Sequence, residues 1–329
     1  MVKPAKSSPV GRRAVTISIY AGTWLLLTLL TPLWVLVGAV VGLVRRRSFI
    51  LLRLLVFAWF YFGFEVFALA LVGWTLIVRP DEEARLAALY RLQAWWASTT
   101  LKVAQQLLRL IIVVDGADLA VPGPSILLVR HASILDTLIP CATTQRRHRF
   151  RVRYVLKQEL LFDPCIDVVG NALPNYFVDR TGNTPEELEG LRTLVAGLGS
   201  DGVLIFPEGT RFSQAKRLAA LEKLEAQGSP LLGMAKGLTH VLPPKAGGVL
   251  TLLDALPGVD CVFVAHSGLE AFAKIENLLS GAVVGSTVRV HLWRVDARDI
   301  PSTAEERLRW LYTEWNKVDA FVRNAVETT

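Results

Sequence analysis

An α/β fold with a mixed, largely parallel sheet flanked by helices, preceded by an apolar helical hairpin for a membrane, is what this sequence predicts. Two patterns carry that expectation. From Ala14 to Val44 no residue is charged, and from Leu54 to Val78 only Glu65 is; each run reaches the roughly 20 apolar residues that cross a bilayer's hydrocarbon core. From residue 111 onward, short β-branched runs alternate with helical stretches, as they do where helices layer on a sheet.

Taken in order, residues 1–13 read as a basic tail with Lys3, Lys6, Arg12 and Arg13. Residues 14–79 hold two membrane helices, with Arg45, Arg46, Arg47 and Arg53 between them and Arg79, Arg85 and Arg91 after them. The first run is too long for a cleaved signal peptide, and a second run follows it. Positive-inside counting favours both termini, and hence the following domain, on the cytoplasmic side. A monotopic hairpin bent at Pro32 is the alternative. Residues 80–110 form an amphipathic linking helix that opens at Pro80 with an acidic first turn. Its apolar side, with Trp95 and Trp96, suits a membrane interface or packing on the domain equally well.

Residues 111–329 make up the α/β domain. Strands are expected at 110–114, 126–129, 153–156, 176–178, 203–206, 261–265 and 287–295. Helices are expected at 133–144, 185–198, 215–238 with a break at 228–230, 247–256, 268–279 and 302–325. The net charge of +7 suits an anionic membrane surface or phosphate-bearing substrates. An apolar front without a basic, aromatic-interleaved stripe argues against nucleic acid. Cys141, Cys165 and Cys261 lack metal-type spacing, so buried free thiols and no metal site are expected.

Two segments carry candidate chemistry. The run Ile126 to Val129 leads to His131, with Asp136 five positions on. An imidazole whose far nitrogen meets a carboxylate is a candidate general base. Five residues turn a helix by roughly 500°, so the two meet only if His131 lies in the strand-to-helix turn and Asp136 in the first helical turn. Ser133 and Asp136 equally fit a helix-capping box, and the spacing alone does not choose between the two. The second segment runs from Phe206 into PEGTRFS, residues 207–213. Arg211 suits a phosphate, Gly209 frees the turn, and Glu208 serves either a polar site or an ion pair that holds the loop. Both segments follow strands at the carboxyl end, where α/β sheets bind ligands.

Together, RHASILD and FPEGTR resemble the glycerophospholipid acyltransferase family, which includes the 1-acylglycerol-3-phosphate acyltransferases. KQELLFDPCIDVVGNALPNYFVDR resembles the family's second block, with Lys157, Glu159, Leu160, Pro164, Asp179 and Arg180 in register, and AKGLTHVLPPKAGG its fourth. The resemblance covers roughly residues 85–270. Asp167 and Pro174 stand where many members have glycine, Arg130 where asparagine is frequent, and PPK where close relatives have P-R.

The resemblance implies an O-acyltransferase that moves a fatty acyl group from acyl-CoA or acyl carrier protein to the free hydroxyl of 1-acylglycerol-3-phosphate. Phosphatidic acid is then the product, and no cofactor is implied beyond the thioester co-substrate. It implies His131 as general base oriented by Asp136, and Glu208, Gly209, Thr210, Arg211, Lys157 and Arg180 as substrate-binding, with Arg211 on the acceptor phosphate. No G-x-S-x-G elbow is present, so no covalent intermediate is expected. The implied partners are a lysophospholipid, an acyl thioester, the bilayer and, as one donor, acyl carrier protein. The competing expectations are an acyltransferase for a lysophospholipid with another headgroup, a lipid hydrolase, and a non-catalytic membrane lipid-binding protein.

Overall fold

The computed structural model describes residues 9–45, 49–79, 81–140, 150–179 and 184–327. The basic tail before residue 9, Arg46, Arg47, Pro80, Cys141, Arg180 and the expected helix end at 141–144 lie outside the described residues. The chain divides into two compact units. A helical unit takes in Met1–Ile111, Lys157–Asn175 and Lys274–Thr287, and an α/β unit takes in Ile112–Leu156, Tyr176–Ala273 and Val288–Thr329. The boundary expected near residue 111 is present, but the helical unit also takes two segments from the later chain.

In the helical unit, α1 (Pro9–Leu29) and α2 (Thr31–Arg45) meet at a 70° bend. Pro32 lies in the first turn of α2, and the Thr31 hydroxyl donates to the carbonyls of Leu27 and Thr28 at 3.1 and 2.8 Å. The first apolar run is thus broken into two helices. By length and composition, α3 (Ile50–Val78) can cross a membrane alone, whereas α1 and α2 pass that test only as a pair. The linking helix α4 (Glu82–Leu108) starts where Asp81 accepts from the Ala84 amide. Trp95 packs on Phe64 and Phe67 of α3, and Trp96 Nε1 donates to Glu65 at 2.8 Å. Both tryptophans are half-buried and pack against the core of this unit.

Glu65, the one charge in its apolar run, is fully buried and also accepts from the Cys165 amide at 3.1 Å. That amide opens α5 (Pro164–Ala172), a helix not expected from the sequence although its start is well signalled. Asp163 caps it, accepting from the Ile166 amide at 2.9 Å, and Pro164 occupies the first turn. Asp167, which stands where many members of the resembled family have glycine, lies in that turn at 0% exposure. Its carboxylate accepts from Arg12 Nε at 2.9 Å and from two Arg13 nitrogens at 3.1 and 3.2 Å. An isolated carboxylate buried to that depth would cost several kcal/mol, and the two guanidiniums supply its compensation. A short helix, α10 (Ile275–Ser280), completes the unit.

The α/β unit is built on a seven-stranded sheet in the order β1-β7-β6-β2-β5-β3-β4. The strands are β1 (Ile111–Asp115), β2 (Ser125–Val129), β3 (Val152–Lys157), β4 (Tyr176–Val178), β5 (Gly202–Ile205), β6 (Asp260–Ser267) and β7 (Thr287–Val295). β2 runs parallel to both β5 and β6, β3 parallel to β5, and β7 antiparallel to β6. Every residue of β2 is buried, as expected of a central strand covered on both faces.

The covering helices are α6 (Pro185–Val195), α7 (Gln214–Ala226), α8 (Leu232–Gly237), α9 (Ala246–Ala255) and α11 (Ala304–Glu327). Thr184 and Glu187 form a capping box at the start of α6. Trp315 of α11, fully buried, packs in one cluster with Phe263 of β6, Leu252 of α9 and Leu191 of α6. The expected helix at 133–144 appears as a 3-10 turn, Ile134–Thr137, followed by a helical turn, Leu138–Pro140. The one expected at 268–279 splits into a 3-10 turn, Glu270–Ala273, and α10. Cys165 and Cys261 are free and buried.

Candidate active site

Because β5, β2 and β6 are parallel neighbours, their carboxyl ends deliver Glu208, His131 and His266 to one edge of the sheet. His131 follows β2 in the strand-to-helix turn. Its Nδ1 lies 3.0 Å from Asp136 Oδ2 in the first 3-10 turn. The carboxylate acceptor places the imidazole proton on Nδ1, leaving Nε2 without a partner among the described residues. The capping box is also present: Asp136 Oδ2 accepts from the Ser133 amide at 2.7 Å, and Ser133 Oγ accepts from the Leu135 amide at 3.1 Å. One carboxylate both caps the turn and orients the ring.

Asp136 is held in place by further contacts. It accepts from the Ala132 amide at 2.5 Å and from Ser133 Oγ at 3.0 Å, and His266 Nε2 stands 3.5 Å away. Burial alone would raise its carboxyl; the facing His266 and the His131 and Ser133 donors outweigh burial and hold it below the usual carboxylate range. His131 itself is only 14% exposed, with the Phe206 ring 4.7 Å from its own.

Glu208, expected at the substrate, has both carboxylate oxygens on backbone amides. Its side chain is 1% exposed, and its two oxygens accept from the His131 amide at 2.7 Å and the Leu242 amide at 2.9 Å. It ties the histidine's backbone to the segment before Lys245. No ion pair joins it to Arg211 among the described residues, so the loop-holding pair considered from the sequence is absent there as well. Burial pushes Glu208 up to about 7, against the pull of Arg130 and the two amides.

A carboxyl that holds its proton more tightly folded than unfolded stabilises the fold below its unfolded value and loses that contribution as pH rises through its folded value. From 4.5 to about 7, Glu208 thus withdraws about 3 kcal/mol. Glu208→Gln, less stable throughout because its amide nitrogen faces a backbone N–H, is expected to show a flatter decline in stability between pH 4.5 and 7. Denaturant melts across that range read the difference, and parallel curves for the two proteins would remove Glu208 as the source.

The remaining predicted residues fall as follows. Gly209 adopts φ +63 and donates its amide to Phe206 O at 2.9 Å. Thr210 Oγ1 accepts from Lys216 Nζ at 2.9 Å. Arg211 is exposed and forms no ion pair among the described residues. Lys157 ends β3 and falls within the helical unit, while Arg180 lies outside the described residues.

Sequence reasoning passed over the layer beneath the histidine. Arg130, 1% exposed, donates to His266 O at 2.6 Å and His240 O at 3.1 Å and pairs with Glu270. His266 Nε2 donates to Arg130 O at 2.9 Å, and burial pushes this imidazole down from its usual value. From α11, Asp319 accepts from the amides of Thr239, His240 and Val241, and Trp315 Nε1 donates to Leu242 O at 3.1 Å. The only sequence signal for His266 is its place just after the expected strand at 261–265.

Residues 111–266 match the family model described as Acyltransferase. The 1-acyl-sn-glycerol-3-phosphate acyltransferase epsilon of Mus musculus is 26% identical over 208 residues, covering 59% of this chain and 56% of its own length. The gamma protein of the same name from Homo sapiens is 27% identical over 205 residues, covering 60% of this chain and 52% of its own length. The chain spans about half the length of these curated relatives. The crystal structure of the 1-acyl-sn-glycerophosphate (LPA) acyltransferase PlsC from Thermotoga maritima shares the fold, with a TM-score of 0.55 at 17% identity over 86% of this chain and 98% of that one. Residues 111–266, which carry both motifs, thus form an acyltransferase domain similar to those of the glycerophospholipid acyltransferases.

Proposed function

We propose that this protein transfers a fatty acyl group from acyl-CoA or acyl carrier protein to the free hydroxyl of 1-acylglycerol-3-phosphate, giving phosphatidic acid. The observation that carries the proposal is the 3.0 Å contact between His131 Nδ1 and Asp136, which leaves Nε2 without a partner among the described residues. Nε2 takes the proton of the acceptor hydroxyl as its oxygen attacks the thioester carbonyl. The new C–O bond forms, the C–S bond breaks, and the proton passes to the departing thiolate. Asp136 stabilises the imidazolium between those steps. The Thr210 and Arg211 amides carry no hydrogen bond among the described residues and serve as oxyanion donors; the Gly209 amide is already committed to Phe206 O.

Arg211 binds the acceptor phosphate, a task that suits an exposed guanidinium with no carboxylate partner among the described residues. The apolar α3 and the bent α1–α2 pair anchor the protein in the membrane, with the catalytic unit on the cytoplasmic side. Acceptor and product both reside in the bilayer, so an anchored enzyme receives its substrate laterally.

The test uses the full chain in detergent, one labelled acyl-CoA and a panel of lysolipids resolved by mass. Labelled phosphatidic acid is the expected product. Free fatty acid alone would indicate a hydrolase, and labelling confined to larger headgroups a remodelling enzyme. Arg211→Ala is expected to raise KM for lysophosphatidic acid by about tenfold or more, the worth of a charge-assisted contact, with KM for acyl-CoA nearly unchanged. Equal rises for both substrates would take Arg211 out of the acceptor site.

A further inference from the structure

Helix α11 begins beyond the residues that match the family model, yet two of its side chains reach the layer around the proposed base. Trp315 and Asp319 stand four residues apart on one helical face with Leu311, Val318 and Val322, all of them buried. An aspartate on such an apolar stripe is costly unless its oxygens are satisfied. Asp319 Oδ1 accepts from three consecutive amides, those of Thr239 at 2.8 Å, His240 at 2.5 Å and Val241 at 3.1 Å, and Oδ2 accepts from Thr239 Oγ1 at 3.2 Å. Successive amides that converge in this way form a concavity suited to an anion. Here the chain's own carboxylate fills it.

Residues 239–242 belong to no helix or strand, and side chains from three elements hold them. Four successive amides meet two carboxylates: the first three meet Asp319, and that of Leu242 meets Glu208 at 2.9 Å. Leu242 O accepts from Trp315 Nε1 at 3.1 Å, and His240 O from Arg130 at 3.1 Å. Arg130 directly precedes His131, whose amide donates to the other Glu208 oxygen at 2.7 Å. A hydrogen bond therefore stands at every joint from α11 through this segment to the turn that carries His131.

We propose that Asp319 and Trp315 are positioning residues: through residues 239–242 and Glu208 they fix the backbone of His131, and with it the direction in which Nε2 meets the acceptor hydroxyl. The inference rests on the acyl-transfer reading for the step that is positioned. A misplacement of about 1 Å at a reacting group costs on the order of 10²-fold in rate. Asp319 has the leverage for such a shift, because removing its side chain takes the acceptor from four donors at once in a segment without secondary structure.

The experiment compares wild type with Asp319→Ala, Asp319→Asn and Trp315→Phe in the full chain in detergent. Acyl transfer to lysophosphatidic acid is measured beside hydrogen exchange in the peptides that contain His131 and Leu242, with kcat referred to the folded fraction. Asp319→Ala is expected to lower kcat about 10- to 100-fold with both KM values within about twofold, and to speed exchange of the His131 and Leu242 amides. Asp319→Asn keeps the oxygen on which three amides converge and turns its nitrogen to Thr239 Oγ1, so its kcat is expected within about threefold of wild type, less than one hydrogen bond is worth. Trp315→Phe leaves a ring in the core cluster and removes only the donor to Leu242 O. Its kcat is expected to fall about three- to tenfold, the worth of one such bond, and it tests the same joint should Asp319→Ala fail to fold. Because Glu208 is the next joint, Asp319→Ala with Glu208→Gln is expected to lose little beyond the worse single variant.

A folded Asp319→Ala with kcat within about twofold of wild type, losses carried by KM, or losses that multiply in the double variant would overturn the proposal. Exchange separates the two levels of inference. Faster exchange at His131 in Asp319→Ala, in a protein that acylates no lysolipid, supports the coupling and overturns the acyl-transfer reading. Acyl transfer and His131 exchange both unchanged by the variants do the reverse.

Discussion

His131→Ala is expected to fold and to lose about three orders of magnitude in kcat, with little change in KM for either substrate. The size follows from removing a positioned general base, worth about 10²–10⁴. Folding is expected to survive because the residue's structural bonds are made by its backbone: the amide to Glu208 and the carbonyl from the Phe212 amide. Among the described residues its ring hydrogen-bonds only Asp136, which keeps its Ala132 and Ser133 donors. Acyl transfer at saturating substrates, beside circular dichroism and melting, reads both halves. Turnover within about tenfold of wild type would sink the assignment of the base.

Asp136→Asn is expected to cost about 10²–10⁴ in kcat as well, by a different route. The amide lacks the charge that stabilises the imidazolium, and its nitrogen cannot accept from His131 Nδ1. The asparagine keeps one oxygen for the cluster of donors at Ala132, Ser133 and His131, and its nitrogen can turn towards Ser133 Oγ, which lies 3.0 Å from Asp136 Oδ1. The added cost in stability is about 1–3 kcal/mol, that of weakening a buried hydrogen-bonded charge. Because base and orienting carboxylate act as a unit, the double variant is expected to be little worse than either single one. Additive losses would show that Asp136 works independently of the histidine.

Much of the fold was legible because the signals are local. All seven strands lie within about two residues of the runs that suggested them, and the capping residues Asp81, Thr184 with Glu187, and Ser133 with Asp136 act over two or three residues. The helix at Pro164–Ala172 escaped because it spans only nine residues, and Glu65, which holds its first turn, lies 100 positions away in sequence. Asp167 shows the same limit. A buried acid where many members of the resembled family have glycine has no evident reason until Arg12 and Arg13, over 150 residues earlier, meet it.

For the site, the His131–Asp136 pair was readable since both partners belong to one strand-to-turn connection, and the FPEGTR segment marked the neighbouring strand end. The role of Glu208 was not, because its partners are backbone amides 77 and 34 residues away. Nor was the support from His266 and Arg130, which meet only because β2 and β6 are parallel neighbours.

The sequence by itself determined most of the elements, the family resemblance and the His131–Asp136 pair proposed for the proton transfer, since periodicity, caps and a six-residue motif act within one stretch of chain. The tertiary structure alone decided that Glu208 faces inward, that a buried histidine backs Asp136, and that Asp319 and Glu208 take successive amides of one segment. The physical reason is that burial and charge compensation are properties of what sheet order and loop closure bring together across the chain, and no local stretch of sequence encodes its distant partner.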